Sequence, residues 1–198
     1  HVWVASISGA FMFGAMLSLG VVWMPKLMAV HGLTPAMSTL GASMLWLGLA
    51  IGSPVITHWS DSARSRKLPL IAGAVVQLIC LAALLYLTNL GTAVLLGLCF
   101  LFGFTNAAHM LSFSTAADVV KPFQIGTSAA IVNGIMFILG GVLISRPGVR
   151  IGWGIEAGIE KGTIAMAQHA ALPLMVALAL ALVMVVLMKE TYPANTTK

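Results

Sequence analysis

Along this chain apolar residues run in six long blocks, separated by short polar or turn-forming segments. A helix needs about 20 mostly apolar residues to cross a bilayer, and each block is long enough. The first predicted span runs from Val2 to Met24 and stops at Pro25-Lys26. The second runs from Pro35 to Trp59, with Thr34 as its N-cap and proline at the first helical position. The third covers 68–88, after a charged loop, and the fourth covers 92–119, after the turn Asn89-Leu90-Gly91. The fifth covers 126–151, with Arg146, Pro147, Gly148 and Arg150 interrupting its end, and the sixth covers 164–189. Transmembrane strands would alternate at period two over about ten residues, and these blocks are too long and too evenly apolar for that. The weakly hydrophobic stretch from Trp153 to Thr163 reads as a loop or a short surface helix. The expectation is one all-α integral membrane domain of six transmembrane helices over residues 1–198.

Composition agrees with this pattern. Of 198 residues, 60% are hydrophobic and 8% charged, against about 45–50% and about 25% in soluble domains. A soluble enzyme, a nucleic-acid-binding domain and a disordered tail are excluded. The net charge of +5 rests on ten basic residues in short clusters, which is a topology signal and not a nucleic-acid footprint. Cys80 and Cys99 lie within apolar runs and read as small buried hydrophobes, with no metal-ligand spacing. The twelve methionines, Met12 and Met16 among them, read as adaptable packing. His1 leads straight into Val2-Trp3-Val4, so the chain reads as cut from something longer.

The segment Asp61 to Lys67 carries Arg64, Arg66 and Lys67. The positive-inside rule makes that loop cytoplasmic. Lys121, Lys189 and Lys198 then fall on the same side, and Lys26, Arg146, Arg150 and Lys161 on the other. Both termini come out cytoplasmic.

Three features together resemble the C-terminal half of a major facilitator superfamily transporter. Thr57-His58-Trp59-Ser60-Asp61-Ser62-Ala63-Arg64-Ser65-Arg66-Lys67 resembles the family's cytoplasmic loop motif, Gly-x-x-x-Asp-(Arg/Lys)-x-Gly-(Arg/Lys)-(Arg/Lys). Asp61 and Arg66 fit it and Lys67 adds a basic residue, whereas Thr57 and Arg64 stand in place of the glycines, and Ser62 and Ser65 in place of basic residues. An aspartate at a helix end can pair with basic residues and with a neighbouring helix N-terminus, latching one conformation. Gly103-Phe104-Thr105-Asn106-Ala107-Ala108-His109-Met110-Leu111-Ser112-Phe113, continuing through Asp118 to Gly126-Thr127 and Asn133-Gly134, resembles the tenth and eleventh helices of bacterial members, including the phagosomal transporter subfamily. Pro147-Gly148 sits where that subfamily often has a late proline, although Ser145-Arg146 replaces the neutral amide expected before it. The tail Lys189-Glu190-Thr191-Tyr192-Pro193 is a common ending of such chains. The resemblance implies helices seven to twelve of a twelve-helix protein in the bacterial inner membrane. A missing N-terminal half would complete a midplane substrate cavity that works by alternating access.

Polar groups at lipid depth are the candidates for function. Asn106 and His109, three apart on the fourth span, share a face. They either line a substrate cavity, with His109 as proton carrier because histidine titrates near neutral pH, or make interhelical hydrogen bonds. Asn133 either lines the cavity or bonds to a neighbouring backbone. Arg146, if the fifth helix continues past Pro147, either reads an anionic group such as a carboxylate or snorkels to the interface. Arg150 reads as interfacial, Gln77 as structural and Trp46 as a packing residue. Asp61, Arg66, Lys67 and Asp118 form the candidate loop motif and gate. The Gly48/Gly52 pair permits close helix approach.

The chain has no GxxxxGK[ST], GxSxG or HExxH, and no acid in mid-span, so neither enzyme chemistry nor a metal or other cofactor is expected. The expected function is secondary active transport of a small polar organic solute, an amino acid or organic anion, with proton coupling. The alternatives are an exporter of drugs or siderophores and a non-transporting assembly module that pairs as a homodimer. Expected partners are the solute, the missing half and the bilayer, with no nucleic acid.

Overall fold

A computed structural model describes residues 2–193. They form six helices, each long and apolar enough to cross a membrane: α1 Val2–Val30, α2 Pro35–Ser62, α3 Lys67–Tyr86, α4 Thr92–Ala117, α5 Pro122–Glu156 and α6 Ile164–Leu187. No strand occurs among the described residues. Lys198, placed in the tail by the charge argument, and His1 lie outside them.

The helix at the centre is α1, which packs chiefly on α5 and also meets α4 and α6, while its last turns meet α2. It can do so because its inward positions are small: Ser6, Ser8, Gly9, Ala10, Gly14, Ala15 and Ser18 are all buried. Apolar helices gain nothing from leaving lipid for one another, so small residues that let backbones close up hold such bundles together. The α2–α4 pair follows the same rule. A Cβ on Gly48, Gly52 or Gly103 would overlap the carbonyl oxygens of Phe100, Phe104 and Leu45 respectively.

The two largest differences from the expected helix ends both involve proline. The first helix does not stop at Pro25-Lys26. A π-helical turn over Leu19–Trp23 absorbs the missing amide, and the helix resumes over Met24–Val30. The fifth helix runs to Glu156 and not to 151, straight through Pro147. It ends where Gly158 takes a left-handed φ of 81°.

A proline inside a helix strips the carbonyl four residues earlier of its donor, and in lipid that carbonyl needs another. Ser18 Oγ donates to Leu143 O, four before Pro147, at 3.0 Å. Arg150 Nε donates to His169 O, four before Pro173. Trp23 Nε1 donates to the adjacent Ile144 O at 2.8 Å. These three bonds tie α1 to α5 and α5 to α6. Arg150 is thus half-buried against α6 and holds that helix, a more specific role than the interfacial one expected.

The end of α3 is closed in a similar way. His31 Nε2 donates to Leu84 O at 2.7 Å and Gln168 Nε2 to Leu85 O at 2.9 Å. Cys80 and Cys99 are free and buried in the core.

Candidate functional site

Two polar clusters lie in or against the bundle. The first is in mid-span on α4, where the α-helix gives way to a 3-10 turn over Ala107–Met110. Asn106, at the edge of that turn, is fully enclosed and faces α1 and α3. Its Nδ2 donates to Met12 O at 2.8 Å and to Gln77 Oε1 at 2.8 Å. Gln77 is itself buried and donates to Gly73 O. Asn106 is thus closed off between α1, α3 and α4.

His109 Nδ1 lies 2.7 Å from Asn106 O. A carbonyl only accepts, so Nδ1 carries the proton and Nε2 of the neutral ring holds the lone pair. The imidazole is buried, and the Phe13 ring covers it at 5.0 Å between centroids. Phe13 in turn meets Phe137 of α5 edge-on at 5.7 Å. Phe137 is well exposed, so an aromatic chain leads from the enclosed histidine to the open side of α5. No pattern in the sequence marks Phe13, because an aromatic residue at lipid depth carries no signal of what it covers.

Asn133 and Arg146 belong to neither cluster. Both are exposed on α5, and neither side chain forms a hydrogen bond or ion pair among the described residues. Thirteen residues separate them, which is about 20 Å along the axis and about 140° around it. They therefore do not converge on one point.

The second cluster joins the α2–α3 loop, the end of α4 and the segment after α6. Arg66 stands at its centre. Its Nη1 donates to Asp61 Oδ1 at 2.8 Å and to Ser60 Oγ at 3.1 Å, and its Nε donates to Asp118 Oδ2 at 3.2 Å. The guanidinium carbon lies 4.7 Å over the Tyr192 ring. Burial works against the charge of Arg66, but the bonds to Asp118 and Asp61 outweigh it and raise its pKa above the ordinary value.

The acid that caps the neighbouring helix is not Asp61 but Glu190. Its carboxylate accepts from Arg66 N at 2.8 Å, Lys67 N at 3.3 Å and the Ser65 hydroxyl, closing the start of α3, and from the amides of Thr191 and Tyr192. Lys67 Nζ donates to Val186 O at 2.6 Å, at the end of α6. The chain has only five acidic residues. Three of them, Asp61, Asp118 and Glu190, meet at this cluster, and nothing in the sequence says which partner each takes.

Burial alone would raise the Glu190 carboxyl. The donors from Ser65, Tyr192, Arg66 and Lys67 outweigh it and hold the pKa at about 2. A carboxylate depressed in this way stabilises the docked tail fully above its ordinary value of 4.5, and the contribution is lost as pH falls toward about 2. Hydrogen exchange at the Arg66 and Lys67 amides is expected to lose protection over that window. Glu190→Gln is expected to lower protection at neutral pH and to flatten the dependence. Unchanged protection in the variant would show that the tail is held by other contacts.

Comparison of the chain with protein-family models, curated proteins and solved structures found no match.

Proposed function

We propose that this chain is the C-terminal six-helix half of a major facilitator-type secondary transporter in the bacterial inner membrane, with both termini cytoplasmic. It would move a small polar organic solute, an amino acid or organic anion, by alternating access coupled to protons. The observation that carries this reading is that two unspent polar side chains, Asn133 and Arg146, are exposed on α5, one on each flank of its buried stripe. A polar group facing hydrocarbon is costly, so such residues face water or protein.

The outward positions of α6 contrast with this, being Leu172, Val176, Leu180, Val183, Val186 and Leu187. That is a lipid-facing surface. A second six-helix half against the face of α5 that carries Asn133 and Phe137 would enclose those two residues and would place the Phe13–His109 pair at the wall of the enclosed space. The Arg66 cluster supports the same reading. It joins three cytoplasmic segments through one residue, as a latch for one conformation requires.

The test is uptake into proteoliposomes by the full-length protein, with labelled anionic and neutral solutes. Arg146→Gln is expected to weaken apparent affinity for anionic solutes about tenfold or more, the loss of one charged hydrogen bond, and to leave neutral solutes nearly unchanged. Equal loss for both would assign Arg146 to folding. Absence of uptake across the panel would overturn the transport reading.

A further inference from the structure

A cavity of about 430 Å³ lies at the end of the bundle opposite the Arg66 cluster. Its size falls within the range of small-molecule sites, about 300–1,000 Å³. It is framed by the last turns of α1 and α5, the start of α6 and Leu85 near the end of α3. Its walls are apolar, with Leu19, Leu27, Ile151, Met166 and Leu174 among them.

Three residues on its border are of another kind. Lys26 and Lys161 are exposed, and neither forms an ion pair among the described residues. Trp23 is pinned by its bond to Ile144 O, with Lys26 Nζ 4.1 Å from its ring centroid. Lys26 stands four residues before the end of α1, and Lys161 precedes the Thr163 N-cap of α6. Both therefore lie within about a helical turn of the bundle end, at headgroup level if the helices span a bilayer.

An apolar slot bordered by an indole and by two lysines without an ion-pair partner among the described residues matches a ligand with a hydrocarbon chain and an anionic head. The apolar walls offer a small polar solute nothing to bond with. A neutral lipid would leave the lysines unused.

We infer that this cavity binds an anionic phospholipid of the surrounding bilayer, with an acyl chain in the slot and the phosphate at Lys26 and Lys161. The inference rests on the membrane-spanning part of the proposed function but not on transport.

The experiment counts lipids retained by the detergent-solubilised protein in native mass spectrometry. The probes are phosphatidylglycerol and phosphatidylcholine with identical chains. Phosphatidylglycerol is expected to bind more tightly. The double variant Lys26→Gln/Lys161→Gln is expected to lose about thirtyfold of that affinity, roughly fivefold for each basic residue near an anionic head, with phosphatidylcholine binding unchanged. Ala167→Phe, which intrudes on the slot while keeping both lysines, is expected to lower binding of both lipids without lowering the melting temperature.

Equal binding of the two lipids to the wild-type protein, or no change in the double variant, would overturn the inference. Oleate binding as tightly as phosphatidylglycerol would overturn the choice of a phospholipid. The readout needs no solute movement, so a failure here leaves the uptake experiment standing, and the reverse also holds.

Discussion

Gly103→Ala is expected to destabilise the bundle by about 1–3 kcal/mol or more, the cost of overpacking a tight interface. The added methyl would overlap Leu45 O and lie 2.7 Å from the Leu45 carbonyl carbon. Backbone cannot step aside as a flexible side chain can, so α2 and α4 would have to move apart along their length. Gly48 and Gly52 face Phe100 and Phe104 on the same seam, so separation at one point loosens contacts at the others. A Cβ at Gly97 on the same helix would meet nothing within 4 Å beyond its chain neighbours and its own helix backbone. Gly97→Ala is therefore expected to be neutral or mildly stabilising, since alanine is the better helix former. Thermal unfolding of the two variants in one detergent measures the difference. Equal melting temperatures would show that the α2–α4 seam is looser than the geometry states.

If the chain transports as proposed and His109 couples protons, His109→Ala is expected to abolish pH-gradient-driven uptake and to leave solute exchange partly intact. Nδ1 is committed to Asn106 O, so a second proton can bind only at Nε2. Phe13 lies over the ring, and α4 is 3-10 helical there. A tightened turn in mid-span is a place where a helix changes its winding. Movement of Phe13 with that turn would expose Nε2 in one conformation and cover it in the other, which in the proposed transport cycle would couple protonation to the conformational step. Exchange that survives in the variant shows that the protein is folded and still moves solute. Driven uptake that also survives would remove His109 from proton coupling.

Six helices of this kind are legible from hydropathy because the hydrophobic requirement is summed over about 20 consecutive residues. A local window captures it, and Thr34 with Pro35 marks the start of α2 as expected, with the threonine hydroxyl accepting from Met37 N. The same locality explains the misplaced ends at Met24 and Ile151. Proline reads as a stop in a window because it lacks an N–H. Whether the helix continues depends on local winding, as in the π-turn before Pro25, or on a donor from elsewhere. For Leu143 O that donor is Ser18, 125 residues away.

The candidate residues divide in the same way. Asp61 and Arg66 lie close in the chain, and their ion pair is within reach of sequence reasoning. Asp118 and Glu190 reach Arg66 from 52 and 124 residues away. The chain offers several acids for one arginine, and only the packing of α4 and α6 around α3 selects among them. Asn106 and His109 are recognisable as polar residues at lipid depth. Their enclosure by Met12, Gln77 and Phe13 comes from the crossing of α1 and α3 over α4, and Asn133 and Arg146 are left exposed because, among the described residues, no helix covers the two flanks of α5 on which they lie.

The sequence alone determined that the chain is helical, that it has six apolar spans and which few polar groups lie within them. These depend on composition over short windows. The tertiary structure decided which prolines are tolerated, which acid caps α3, which polar groups are spent on packing and where two lysines border an apolar slot. Each of these is a pairing between distant segments, set by how closely small residues let the helices approach.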